Sequence, residues 1–443
     1  MERDLTKGSV FRNIIVFSLP YLLSYFLQTL YGMADLFIVG QFHGVDSITA
    51  VSVGSQVMHM LTVMIVGLAM GATVTIGKAV GARQPEKASL TVGNTIVIFM
   101  GLSVVIMLLL LLLVKPIVAA VSTPQEAVSG TVMYLMVCFI GIPFITAYNI
   151  ISSIFRGLGD SKSPMYFIAV ACVANILLDY LFIGAFHLGA MGAALGTTLA
   201  QMVSVIVALT IIVKRKTGIL LQKGDFKLQP DIIGQILKIG IPIAVQDGFI
   251  QIAFMVITVI ANQRGLNDAA AVGIVEKIIG VVFLVPSTLL SAVSALSAQN
   301  IGAGKHERAE ATLRYAIIMA AAFGLVISVI VQFTGSGIVG IFTEDRQVIL
   351  LGNQYLKAYI WDCMFAGIHF SFSGYFCACG LSGISFLHNA LAIVLVRVPG
   401  AFLASKYFAD TLYPMGMAAP AGSLLSIIVC VIAFIWIKKT SKA

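Results

Sequence analysis

The sequence predicts an all-α polytopic membrane protein, with about twelve transmembrane helices arranged as two pseudo-symmetric six-helix lobes. Three observations carry that prediction. Of 443 residues, 59% are hydrophobic and only 10% are charged, with a mean hydropathy of +1.02; soluble domains run at about 25% charged. Apolar runs long enough to cross a bilayer, which takes ~20 residues, recur along the whole chain with short loops between them. The second half of the chain also repeats motifs of the first.

The first long apolar run, 11–42, carries both a carboxylate, Asp35, and a proline, Pro20. Ser18, Tyr21, Tyr25, Gln28, Gly32 and Asp35 follow at steps of three and four, which makes one stripe along a helix. A helix facing lipid all round has no such stripe, so this one is expected to face protein or a water-filled cavity. Pro20 removes a backbone donor and predicts a bend, with Gly32 as a second hinge position. The remaining spans of the first half are expected near 48–77, 87–114, 127–154, 164–186 and 191–213. Those of the second half fall near 232–262, 270–298, 309–334, 348–376, 384–408 and 415–437. The longest polar stretch, 214–230, reads as a linker between a lobe at 1–213 and a lobe at 231–443.

Residues 1–7 are short and charged and lead into a run too long for a signal-peptide core. The net charge of +8 lies in alternate loops: Arg3, Lys7 and Arg12; Lys78, Arg83 and Lys87; Arg156 and Lys162; the segment 214–238; and Lys438, Lys439 and Lys442. The other side has mainly Lys115, Arg264, Arg346 and Lys406. By the positive-inside rule both termini are cytoplasmic, and the basicity is a topology signal, with no nucleic-acid partner implied. Cys138, Cys172, Cys363, Cys377, Cys379 and Cys430 fall in or beside apolar runs and show neither a disulfide framework nor a zinc ligand set. Gly157 and Gly159 are followed by no Walker-type Gly-Lys-Ser/Thr. An enzyme would need a metal cluster or a nucleophile constellation, and neither stands out.

The repeat is specific. VGARQPEKA at 80–88 matches NIGAGKHERA at 300–309, with Gly81, Ala82, Glu86 and Ala88 against Gly302, Ala303, Glu307 and Ala309, an offset of 221 (302 − 81). The same offset pairs Phe155 and Gly159 with Phe376 and Gly380, and Gly44, Ala50 and Val51 with Gly265, Ala271 and Val272. Six spans separate the copies, so they are expected to be parallel repeats.

These motifs, with Leu19–Pro20, DLFIVG at 35–40, FRGLGDSKSP at 155–164 and the Asn175/Asp179 pair, resemble the multidrug and toxic compound extrusion (MATE) family over essentially the whole chain. Within it, the paired acids of the first half look most like the DinF-like branch. The resemblance implies a central cavity and efflux driven by a proton or sodium gradient. It implies no cofactor, H⁺ and/or Na⁺ as coupling ion, and amphiphilic, cationic small molecules as cargo. A monomer in the plasma (inner) membrane is expected.

Asn175 and Asp179 lie four apart and share a helix face. A carboxylate in low dielectric resists ionising, and two that share a site interact as a pair; such a pair can take up a proton or offer oxygens to Na⁺. The resemblance places Asp35, Asn175 and Asp179 in a first-lobe cation site, and spacing from Asp179 selects Thr197 over Thr198. At the same offset, Asp35 meets Val256 and Asp179 meets Gly400, so the second half does not repeat the site. It has its own membrane charges, Asp247, Glu276, Asp362 and Arg397, expected to form a polar network. Candidate cavity residues are Tyr21, Tyr25, Gln28, Gln56, His59, Met60, Gln246 and Phe249, because aromatics bind cations and Met is adaptable. A flippase for lipid-linked precursors is the alternative. The first lobe's membrane core shows acids and no base, which favours cationic cargo.

Overall fold

The computed structural model describes residues 4–121, 123–215 and 221–440. Arg3, Lys442 and positions 216–220 of the expected linker lie outside the described residues. The described chain is almost wholly helical, because a backbone in lipid must satisfy its polar groups within its own segment.

In chain order the first half runs α1 (Val10–Phe42), α2 (Val45–Gly81), α3 (Pro85–Ala120), α4 (Gln125–Ile140), α5 (Ile142–Gly157), α6 (Lys162–Asp179) with a π-helical turn at Tyr180–Ala185, and α7 (Gly189–Arg215). A 3₁₀ turn at Lys223–Phe226 follows. The second half runs α8 (Pro230–Arg264), α9 (Leu266–Val282), α10 (Leu284–Gly302), α11 (His306–Gly340), α12 (Arg346–Tyr359), α13 (Asp362–Cys379), α14 (Ser382–Ala392) with a π-helical turn at Ile393–Arg397, α15 (Val398–Tyr407) and α16 (Tyr413–Thr440).

Among the described residues ten spans are long and apolar enough to cross a membrane, and the α4–α5 pair, bent by 49°, makes an eleventh. That bend sits at Gly141, with Pro143 opening α5, where a missing N–H is tolerated. The twelfth segment is α12 with α13; its first arm is 14 residues long and carries Arg346, Gln347, Asn353, Gln354 and Lys357. Helix α1 runs unbroken through Pro20.

The chain forms two compact units. One contains Leu19–Gly240, and the other contains Leu5–Ser18 with the chain from Ile241 onward. The changeovers lie inside α1 and α8, two residues before Pro20 and Pro242. In the first unit, Asn94 of α3 fastens the chain that precedes α8: its amide donates to the Asp225 and Lys227 carbonyls (3.3 and 3.0 Å) and accepts from the Gln229 N–H (2.7 Å). Gly71 of α2 and Gly240 of α8 then let the two backbones meet, since a Cβ on either would strike the other helix's carbonyl (Ile236 and Leu68). In the second unit, the entry to α1 is fastened by Lys305 Nζ to the Thr6 carbonyl (2.8 Å) and Arg308 to the Lys7 carbonyl (2.9 Å).

The repeat is visible in the backbone. Arg83 and Gly304, equivalent at the offset of the motifs, both have positive φ (57° and 71°), as do Gly159 and Gly380 (88° and 81°). Ala50–Val51 and Ala271–Val272 are all fully buried, each pair within its own unit's core. All six cysteines are free thiols.

Candidate oxygen-rich site in the first unit

Within the first unit α1 buries one face. Tyr21, Ser24, Asp35, Ile38 and Val39 are buried, while Leu19, Leu23, Phe26, Leu30, Met33 and Phe37 are exposed. That face carries Asp35 towards α6 and α7. Thr197 Oγ1 of α7 donates to Asp35 Oδ2 at 3.0 Å, and Asn175 Nδ2 of α6 donates to Thr197 Oγ1 at 3.5 Å. Asp179, one turn beyond Asn175, is fully buried and adjoins Asp35. The neighbouring Thr198 hydroxyl is buried without a partner and packs at Gly141, so Thr197 is the threonine that reaches both polar groups.

The cluster is short of donors. Asp35 Oδ1, both Asp179 carboxyl oxygens and Asn175 Oδ1 are buried with no hydrogen-bond partner among the described residues. Buried polar atoms are otherwise nearly always paired. Four oxygen atoms without donors suit a proton or a hard cation, which takes oxygen ligands. The π-helical turn that starts at Tyr180, immediately after Asp179, is of the kind that recurs at functional sites.

Three participants were not singled out from sequence. Gly196 makes room for Asp179, because a Cβ there would collide with Asp179 Oδ1. Tyr31 and Gln201 form the next layer, with Gln201 Nε2 donating to Tyr31 Oη at 3.4 Å. Each lies four residues from a site residue, Tyr31 before Asp35 and Gln201 after Thr197, so helical spacing alone pointed to them. In the expected stripe Gly32 occupied that layer, but a Cβ at Gly32 would meet open space.

One expectation is corrected. Arg156, read as a base of a cytoplasmic loop, is 7% exposed, because α5 continues to Gly157 and turns this residue inward. Its Nη1 donates to Tyr21 Oη at 2.8 Å, and Tyr21 donates to Tyr25 Oη at 3.0 Å. The first unit's interior therefore holds a base as well as acids, and Tyr21, Tyr25 and Gln28 line a cleft beside it. Of the other cavity candidates, Gln56 and His59 are exposed on α2 and Met60 is half-buried. In the second unit Gln246 is buried and accepts from Ser385 Oγ (2.9 Å), and Phe249 packs edge-on to Phe386.

The charges of the second unit divide differently from the expected network. Arg397, closing the second π-helical turn, pairs with the fully buried Asp362. Glu276 instead accepts from Thr258 Oγ1 (3.2 Å), and Asp247, half-buried, joins neither group by a hydrogen bond. His369 meets Ser423 (3.3 Å) and His388 meets Ser373 (2.9 Å).

The MatE family model matches this chain twice, over residues 20–181 and 242–403, each match beginning at one of the two helix prolines. The chain belongs to the MatE family. Its relatives include the "Probable multidrug resistance protein YoeA" of Bacillus subtilis, 27% identical over 98% of this chain and 96% of the relative. The "Probable multidrug resistance protein YpnP" of the same organism is 29% identical over 91% and 90%. The "Multidrug export protein MepA" of Staphylococcus aureus is 26% identical over 84% and 83%. A solved outward-facing multidrug resistance MATE family transporter superposes with a TM-score of 0.92 at 23% identity, covering 99% of this chain and 98% of the other. A MATE protein in its bent conformation superposes with a TM-score of 0.90 at 23% identity, over 99% and 98%. This MatE family chain thus has the family's fold over its whole length.

Proposed function

We propose that this MatE protein is a secondary-active antiporter that exports amphiphilic, cationic compounds in exchange for H⁺ or Na⁺. The observation that carries the reading is the buried Asp35–Asp179 pair, which with Asn175 presents four unpartnered oxygens. A site with this composition exists in two charge states, empty or occupied by a cation, and so can tie a conformational preference to an ion gradient. Asp35 lies on the helix that contains Pro20, so occupancy of the site acts on α1 directly. Pro20 and Gly32 are the hinge positions we assign to that helix, which runs unbroken in this structure. The relatives' multidrug export names support cargo of the amphiphilic class. Candidate contacts for it are Tyr21, Tyr25, Gln28, Gln56, His59 and Met60 in the first unit and, in the second, Gln246 and Phe249. The protein works without a cofactor, as a monomer in the plasma (inner) membrane with both termini cytoplasmic.

The test is Asp179→Asn, which keeps size and hydrogen bonding but fixes the group in a neutral state. In proteoliposomes with imposed pH or sodium gradients, efflux of a cationic dye should fall to less than about a tenth of the native rate, on the order of a lost ionic interaction. Expression and dye binding should persist, since a buried neutral amide costs less than a buried charge. Full gradient-dependent efflux by well-expressed Asp179→Asn protein would move the coupling role to Asp247, Glu276 or Asp362.

A further inference from the structure

Among the described residues, Arg156 is the only lysine or arginine classed as buried, and no carboxylate there pairs with it. The nearest acid in sequence is committed elsewhere. Asp160 Oδ1 accepts from the Lys162 and Ser163 N–H groups (2.9 and 3.1 Å), and its Oδ2 accepts from Ser163 Oγ at 2.6 Å. A guanidinium cannot shed its proton to escape burial, so an uncompensated one is costly. The carbonyl end of α5 offers it partial negative charge, and the guanidinium lies over the Tyr21 ring at 4.9 Å from its centroid; only one of its five N–H donors is used in the hydrogen bond to Tyr21.

Beside the guanidinium is a cleft lined by Tyr25, Gln28, Tyr148, Asn149 and Ser152, a set of hydroxyls and amides. Ser152 is 2% exposed, and its hydroxyl makes no hydrogen bond of normal geometry. The cavity, about 20 Å³, is large enough for a small ion or the tip of a headgroup. A lone buried cation, spare donors and a polar cavity of that size match one chemical class.

We propose that the Arg156 cavity binds a small oxyanion, a carboxylate or phosphate group, supplied either as a free ion or by an anionic lipid headgroup. The oxyanion sits against the guanidinium in charge-assisted hydrogen bonds. It completes a charge balance that the protein's own side chains leave open. Because Arg156 bonds Tyr21, the residue after Pro20, an occupied cavity also holds α1 at its proline. This goes beyond the antiport reading, which places the ion at the other end of the same helix face.

The experiment uses the full chain in nanodiscs and follows the thermal unfolding midpoint at constant ionic strength. Inorganic phosphate is titrated into phosphatidylcholine discs, and the protein is compared in phosphatidylcholine and phosphatidylglycerol discs without phosphate. A saturable rise with phosphate in phosphatidylcholine supports the site with a free anion as its source. A higher midpoint in phosphatidylglycerol, with the phosphate response blunted, supports it with the headgroup as source. In Arg156→Gln either response should weaken at least ~10-fold in apparent affinity, as expected for losing a charge-assisted pair. Arg156→Lys, which keeps the charge without the fork, should be intermediate. Absence of both responses in the native protein overturns the proposal. So does an Arg156→Gln response equal to the native one or, if that variant does not fold, an Arg156→Lys response equal to it.

Discussion

The two units solve the same problem, a carboxyl group held inside a membrane protein, in opposite ways. In the first unit Asp35 and Asp179 adjoin each other with no basic side chain at hand, and three of their four carboxyl oxygens have no partner. In the second, Asp362 is just as deeply buried but carries its own cation, Arg397. Both arrangements sit at a π-helical turn on the fifth apolar span of their half. A charge balanced from within is constant through any cycle. A charge left for an external ion to balance can change. The contrast supports the proposal that the first unit carries the variable charge, with the Asp362–Arg397 pair as a fixed, structural one.

The largest expected effect comes from breaking the fixed pair. Arg397→Ala leaves Asp362 buried without compensation and should destabilise the second unit by ~3–5 kcal/mol, read as a lower denaturation midpoint in detergent. The double variant Asp362→Leu with Arg397→Met should recover most of that loss, because an apolar pair of similar volume is often neutral. In the first unit the corresponding deletion, Asp35→Asn, should leave stability unchanged or higher, since it removes one of two adjacent acids. Equal destabilisation by Asp35→Asn and Arg397→Ala would end the comparison.

A smaller effect sharpens it. Gly196→Ala places a methyl where Asp179 Oδ1 lies, and such overpacking costs ~1–3 kcal/mol. Because the group displaced is the carboxyl itself, ion affinity should drop by about tenfold or more, which is 1.4 kcal/mol at room temperature. Ion-dependent quenching or isotope binding would measure it. The same substitution at Gly32, which faces open space, should have little effect on ion affinity.

The smallest effect compares the halves at a turn. Arg83 adopts the left-handed backbone that Gly304 adopts at the equivalent position, at a cost of about 1 kcal/mol for a side-chain-bearing residue. Arg83→Gly should raise the midpoint slightly, and Gly304→Ala should lower it by a similar amount.

Much of this was legible in the sequence. Twelve apolar segments, the repeated VGARQPEKA and NIGAGKHERA motifs, and the Asn175–Asp179 spacing all report on chemistry that lies close along the chain. The contact of Thr197 with Asp35, 162 residues apart, was reachable only because the resemblance put them in one site. What stayed hidden depends on burial direction and close approach. Gly196 looks like any small membrane residue until its neighbour is a carboxyl. Arg156 reads as a loop base because sequence does not tell that α5 extends one more turn. The partner of Arg397 is a choice among several acids, and packing rather than spacing decides it for Asp362.

The crossing of α1 and α8 between units bears on how the protein is made. Each half contributes the opening turns of its first helix to the other half's core, with Leu5–Ser18 going one way and Pro230–Gly240 the other. Synthesis of the first six spans therefore ends with their core still lacking the segment that Asn94 and Gly71 are shaped to receive. The N-terminal turns, for their part, have no partner until α10 and α11 emerge. A chain cut between α7 and α8 would yield two fragments, each lacking a piece of its own unit's core that the other carries.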